Sequence, residues 1–263
     1  NVEKRAKIIT DWIDNYCNNT SFDPKALVVG ISGGIDSSVV STLCALTKRK
    51  TIALSMPIKQ IQSQHDLSIE HGKWLTSKFK NVEHKVLELE KLFKNFEEVL
   101  NEFNNEHGFA NSRARLRMAT LYQVAAANSG IVVGTGNKVE DFGVGFYTKY
   151  GDGGVDLSPI ADLMKSQVIA VAKELNIIDE IIVAKPTDGL WDDTRSDEDQ
   201  IGATYDELEK AMELKNKKIS PDTLEGRSLE VYNILDNFYN KNEHKMIPIP
   251  ICKIPKELLN NSI

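Results

Sequence analysis

The run Ala26-Leu27-Val28-Val29-Gly30 leads directly into Ile31-Ser32-Gly33-Gly34-Ile35-Asp36-Ser37-Ser38, and a helix-period segment opens behind it. The apolar run is short and unbroken, as in a strand buried on both faces of a parallel sheet. Behind the loop, Val39, Val40, Leu43 and Leu46 recur at helical spacing. A strand that turns into a helix through paired glycines has few uses. The glycines permit positive φ and close backbone approach, so consecutive N–H groups can form an anion nest at the helix N-terminus. Ser32, Ser37 and Ser38 add hydroxyl donors, and Asp36 is placed to hold a divalent cation against phosphates. The loop lacks the Gly-Lys-Ser/Thr of a Walker A loop and the GxGxxG of dinucleotide folds.

The same alternation continues along the chain. Thr51 to Ser55, Val82 to Leu89 and Ile131 to Gly134 read as further strands. Ser37 to Thr47, Gln64 to Lys78, Leu92 to Phe103 and Ser112 to Ala127 read as the helices between them. Strand and helix in turn predict an α/β fold: a doubly wound, mainly parallel sheet with helices on both faces. From Lys165 onward the pattern is mostly helical, over Lys165 to Asn176, Tyr205 to Asn216 and Thr223 to Asn240. No repeat or low-complexity linker interrupts it, so residues 1–263 read as one domain. Two stretches lack a period: the Gly-rich Gly134 to Gly154, and Pro186 to Gly202 with its acidic residues around Trp191. Irregular stretches of this length are usually functional loops or lids, with a solvated acidic loop as the plain alternative for the second.

Composition narrows the function. Lys and Arg total 32 against 38 Asp and Glu, a formal charge of −6, which argues against a dedicated nucleic-acid binder. No apolar run approaches the roughly 18 residues of a membrane span, and no signal-like segment follows the start. Cys17, Cys44 and Cys252 form no CxxC and no zinc-ligand spacing, which points to reduced thiols and a cytoplasmic setting. His65, His71, His84 and His107 have no ligand-like partners and read as surface residues, while Trp12 and Trp74 read as core or interface. Arg113 and Arg117 share a helix face and Arg115 points elsewhere, which favours a separate role for Arg115.

Ser32-Gly33-Gly34-Ile35-Asp36-Ser37 matches the SGGxDS pyrophosphate loop of the N-type ATP pyrophosphatases. Several families share that loop, and the rest of the chain separates them. Val133-Gly134-Thr135-Gly136-Asn137-Lys138-Val139-Glu140 is followed by Phe146-Tyr147-Thr148-Lys149-Tyr150-Gly151-Asp152-Gly153-Gly154-Val155-Asp156-Leu157-Ser158-Pro159, then by Lys165. This resembles the NAD synthetase family, with further matches at Arg113 to Met118, Lys185 to Thr187 and Glu243 to Lys245.

The resemblance implies an adenine nucleotide alpha hydrolase-like fold and an ATP-dependent amidation of deamido-NAD to NAD. In it Gly30, Ile31, Ser32, Gly33, Gly34, Ile35, Asp36 and Ser37 would grip the ATP phosphates, with Thr135, Lys165 and Thr187 as further ATP contacts. Asp36 and Glu140 would hold Mg2+; Arg115, Lys149, Asp156, His244 and Lys245 would bind deamido-NAD. The stretch from Glu140 to Lys149 departs from the family pattern by one extra residue, which makes Asp141 the alternative to Glu140. A homodimer is implied, with no nucleic-acid or membrane partner.

The chemistry explains these residue types. A nicotinate carboxylate is a poor acyl donor until adenylated, and bringing it to a polyanion requires cations and N–H donors. Ammonia then displaces AMP, and a carboxylate such as Asp152 can take a proton from NH4+; Lys165 is the second catalytic candidate. Little more than one helix precedes the loop, and no cysteine has an activating partner, so no glutaminase domain is expected and free ammonia is the nitrogen source. The alternative is another amidating or tRNA-modifying pyrophosphatase of the same superfamily.

Overall fold

The structure, a computed structural model, describes residues 2–185 and 196–259. Four parallel strands form its sheet: β1 (Ala26–Gly30), β2 (Lys50–Ser55), β3 (Val82–Val86) and β4 (Gly130–Val132), in the order β3-β2-β1-β4. Successive β1 side chains alternate between two cores, as a pleated strand requires. Leu27 and Val29 pack with α1 (Val2–Asn19), α2 (Ile35–Leu46) and α6 (Lys165–Glu174). Ala26 and Val28 pack on the other face with α4 (Glu90–Val99) and α5 (Glu106–Ala127). Because both faces are covered, the central strand β1 is apolar throughout, and the doubly wound expectation holds.

The chain leaves β1 through α2 on one face and reaches β4 from α5 on the other. β1 and β4 are nonetheless neighbours. The loops after their C-terminal ends therefore diverge around a crevice, the place where ligands bind in such sheets.

A third apolar cluster lies apart from the sheet. It joins α8 (Asp197–Ile201), α9 (Tyr205–Asn216) and α10 (Gly226–Met246) through Ile201, Leu208, Met212, Val231 and Leu235. Val139 and Val144 also belong to it. They come from a π-helical turn, Lys138–Val144, inside a stretch that the sequence leaves without a period. A single π turn accommodates one residue more than an α-turn.

Some boundaries differ from expectation. β3 ends at Val86, three residues early. α10 starts at Gly226 and continues through Met246, with no breaker before Pro248, whose ring favours the extended Ile247. His244 and Lys245 thus ride on its last turn. α3 (Gln62–Lys78) packs on the α2 side, and here the histidine expectation fails. His71 is 0% exposed, and its Nε2 lies 2.9 Å from the Ser41 hydroxyl. His65 and His84 are half-buried, and the His84 Nε2 lies 2.9 Å from Ser55 Oγ; of these four, His107 alone is exposed. Hydroxyls on neighbouring elements bond one nitrogen each of His71 and His84, a long-range pairing that local spacing does not reveal. Trp74 packs on the core beside His71, whereas Trp12 is 45% exposed. Cys17 and Cys44 are buried free thiols, and Cys252 is exposed. No helix among the described residues is long and apolar enough to cross a membrane.

Candidate active site

The phosphate loop holds itself open with its own hydroxyls. Ser37 and Ser38 donate to the Gly34 carbonyl at 3.0 and 2.9 Å, and Ser32 Oγ accepts from the Gly34 N–H at 3.2 Å. Gly34 caps α2 without a side-chain bond, so the first-turn N–H groups remain available to an anion. Gly33 sits at φ +91°, and a Cβ there would come within 2.4 Å of the Gln64 carbonyl. Gln60, from the turn before α3, donates to the Ser32 carbonyl at 3.0 Å and closes the loop's far side. Gly30, Ile31 and Ile35 supply backbone at the strand end and helix start.

Beyond the loop, three charges meet. The Lys165 Nζ donates to Asp36 Oδ2 at 2.5 Å and to Glu140 Oε1 at 2.9 Å. Lys165 opens α6, Asp36 lies in the first turn of α2, and Glu140 lies in the π turn, so three separate elements converge on one ammonium. Burial works against the Lys165 charge, but Asp36 and Glu140 hold its pKa well above the ordinary value. Burial would also raise Glu140; Lys165, the Tyr205 hydroxyl and Asn137 outweigh it and hold the carboxyl below its usual range. Asp36 is shifted upward, burial and the Glu140 charge prevailing over the pull of Lys165. Asp36 and Glu140, and not Asp141, share the Lys165 ammonium.

Asn137 completes the arrangement. Its side-chain oxygen caps the π turn by accepting from the Val139 and Glu140 N–H groups at 3.0 and 3.1 Å. Its Nδ2 donates to Asp36 Oδ1 at 3.1 Å. The residue stands inside the motif quoted above, yet only its position before an acidic helical turn marks it as a cap.

Asp141 lies against Gly136, and burial followed by the charges of Glu140, Asp152 and Asp36 raises its carboxyl to about 8. Asp152 retains exposed surface and accepts from the Thr148 N–H at 2.9 Å. Crowding by the surrounding chain raises its carboxyl to about 6.

Four of the five residues expected to hold the dinucleotide are contiguous. Arg115 Nε donates to the Lys149 carbonyl at 3.2 Å, and Lys149 Nζ donates to the His244 carbonyl at 2.7 Å. Lys245 Nζ donates to the carbonyls of Gly145 and Tyr147, both at 2.9 Å. α10 thus clamps the segment after the π turn and collects cationic side chains at one place. Arg115 is exposed, whereas Arg113 is buried and Arg117 donates to the Met56 carbonyl at 2.9 Å, so the three arginines divide by helix face as their spacing predicts. Asp156 stands elsewhere. Its carboxylate accepts from the Val132 N–H at 2.8 Å and from the Tyr122 hydroxyl at 2.9 Å, so its acceptors already serve the edge of β4. Thr135 lies half-buried in the loop after β4; Thr187 and Trp191 lie outside the described residues.

Among the described residues, no three His, Cys, Asp or Glu side chains are grouped to hold a metal ion. Asp36 and Glu140 are two hard carboxylates that share one cation. That set suits Mg2+, which is held by one or two carboxylates together with substrate phosphates.

Comparison with known proteins agrees with this geometry. The family model described as NAD synthase matches residues 5–248. The NH(3)-dependent NAD(+) synthetase of Methanosarcina acetivorans is 34% identical, over 96% of this chain and 98% of its own. That of Alkaliphilus oremlandii is 34% identical, over 97% and 98%. Among solved structures, NMN synthetase from Francisella tularensis superposes with a TM-score of 0.85 at 27% identity, covering 97% of this chain and 99% of its own. NH3-dependent NAD synthetase from Campylobacter jejuni superposes with a TM-score of 0.77 at 27% identity, covering 96% and 100%.

Proposed function

The chain belongs to the NAD synthase family, and on that premise we propose how its residues carry out the amidation of deamido-NAD to NAD by ATP and ammonia. It is a ligase that forms a carbon–nitrogen bond. The observation that carries the assignment of roles is the convergence of Asp36, Glu140 and Lys165 beside an open helix N-terminus.

The loop from Gly30 to Ser37 receives the ATP phosphates on its N–H groups and hydroxyls. Asp36 and Glu140 would hold Mg2+, which would supply positive charge against the phosphates as pyrophosphate departs. Lys165 is a buried, firmly protonated ammonium 2.5 Å from Asp36, and it turns from that carboxylate to the phosphate oxygens. Arg115, Lys149, His244 and Lys245 lie together on the far side of the π turn, where cations suit a second pyrophosphate. The nicotinate carboxylate of deamido-NAD attacks the α-phosphorus, pyrophosphate leaves, and the acyl adenylate forms.

Ammonia enters next. Asp152, with its carboxyl raised to about 6, takes the proton from NH4+; NH3 then attacks the acyl carbon, the adduct loses a second proton to solvent, and AMP departs with the electron pair of the broken C–O bond. We further assign the working form as a homodimer of single-domain subunits. The exposure of Arg115 and His244 leaves room for a long dinucleotide shared with a second copy.

The test measures AMP, pyrophosphate and NAD with deamido-NAD present or absent, and with NH4Cl or ammonia-free glutamine. Products should require deamido-NAD and ammonium and rise with pH as the NH3 fraction grows; efficient NAD formation from glutamine refutes the nitrogen source. Because one structural relative is an NMN synthetase, a parallel arm supplies nicotinate mononucleotide. A higher kcat/KM for the mononucleotide would replace deamido-NAD as the substrate.

A further inference from the structure

Tyr205 opens α9, some 65 residues from the π turn in sequence, and is 7% exposed. Its hydroxyl donates to Glu140 Oε1 at 2.7 Å and lies 3.3 Å from Asp197 Oδ2. Its ring faces the Lys165 ammonium, 5.0 Å from the centroid. The Glu140 oxygen that accepts from Lys165 is therefore the same one that accepts from Tyr205. Tyr205 is itself fixed: its N–H donates to Glu198 at 2.8 Å, and its ring belongs to the apolar cluster of α8, α9 and α10.

These contacts give Glu140 two donors of different kinds. Lys165 is a charged donor on a flexible stem, and the proposed reaction requires it to move to the phosphates. The Tyr205 hydroxyl is neutral and rigidly mounted, and it stays. Once Lys165 has left, the Tyr205 hydroxyl is the donor still on Glu140 Oε1, and a carboxylate that loses such a bond at low exposure is costly and freer to rotate.

We propose that Tyr205 is a positioning residue that holds Glu140 in its metal-binding orientation when Lys165 turns to the substrate, so that the C-terminal helical cluster fixes the geometry of the phosphate site. This rests on the reading that Asp36 and Glu140 hold the metal. The aromatic ring adds a second effect: its face favours a cation at the Lys165 position, which keeps the ammonium near the site after it leaves the carboxylates.

The experiment compares the full chain with Tyr205→Phe and Glu140→Gln. Mn2+ affinity in the presence of ATP is read from the free-ion electron paramagnetic resonance signal, beside kcat, both KM values and thermal melting. Tyr205→Phe removes one hydroxyl and keeps the packed ring. It should weaken Mn2+ binding roughly tenfold or more and lower kcat comparably, the usual effect of a hydrogen bond to a charged group. The KM for deamido-NAD should stay near wild type, since Arg115, Lys149, His244 and Lys245 are untouched. Unchanged Mn2+ affinity and kcat would overturn the proposal. So would an equal loss in melting temperature and in both KM values, which marks a merely structural role. Glu140→Gln with wild-type Mn2+ affinity would instead overturn the metal assignment beneath it.

Discussion

Lowering the pH from 7 to 4 should cost this fold stability through one imidazole. His71 is enclosed between α3 and α2, and its pKa is pushed down to about 4, by burial first and then by the neighbouring His84. The geometry gives the reason. The Ser41 hydroxyl donates to the Ser38 carbonyl at 3.1 Å, so its oxygen accepts from the Nε2–H of His71. The second proton would go to Nδ1, which is buried without a hydrogen-bond partner. In the unfolded chain His71 titrates at its ordinary 6.5. Between pH 6.5 and 4 the unfolded state therefore binds a proton that the folded state does not, and stability falls as pH falls through that window. The difference of roughly 2.5 units corresponds to about 3 kcal/mol at the acid end, at about 1.4 kcal/mol per unit. His84 is shifted in the same direction, again by burial first, and adds to the trend. Carboxylates titrate over part of this range, so the assay is a difference. Urea unfolding of wild type and His71→Gln is followed at half-unit steps from pH 7 to 4. Gln keeps an N–H for Ser41 and does not titrate, so the two profiles should converge toward low pH by about that amount. Parallel profiles would refute a buried neutral imidazole.

Three further outcomes follow from the site. Asp36→Asn should fold but lose kcat by roughly 10²-fold or more at saturating Mg2+, as expected when stabilisation of a departing anion is removed; near-normal kcat would end its assignment. Gly33→Ala places a Cβ within 2.4 Å of the Gln64 carbonyl at φ +91°, so stability measured by urea melts should drop by about 1–3 kcal/mol and the KM for ATP should rise. Amide exchange over residues 138–154 should slow when ATP and deamido-NAD are bound, because the segment carries Glu140, Lys149 and Asp152; mass spectrometry showing equal exchange in both states would count against closure there.

The sequence carried the strand-loop-helix unit in full, because every determinant of that unit is local: an apolar run, two glycines, and an amphipathic continuation. The same locality served the arginines, whose division by face follows from helical spacing alone. Sequence reading failed where partners are distant. Tyr205 has no motif around it, and its role appears only when α9 is packed against the π turn. His71 looks like any polar residue on an amphipathic helix until Ser41 is seen opposite. Asp156 is another case of distant partners: its carboxylate accepts from the β4 backbone and from Tyr122, contacts that its place in the motif does not reveal. The π turn at Lys138–Val144 was not legible either, since α and π turns share the same local preferences.

The fate of Asp156 has a consequence for how these molecules behave at high concentration. β4 is an outer strand of the sheet, and Ile131, Val132 and Val133 make it apolar. An outer strand with free N–H and C=O groups is a template for pairing with another chain. Here the Val132 N–H is taken by the Asp156 carboxylate and its carbonyl by the Asp156 N–H at 3.0 Å, while Val133 bridges to Leu157. The opposite outer strand is guarded differently: β3 reads Val82-Glu83-His84-Lys85-Val86, with exposed charges at Glu83 and Lys85. One border of the sheet is sealed by its own following segment and the other repels by charge, so neither invites a stray strand to extend it.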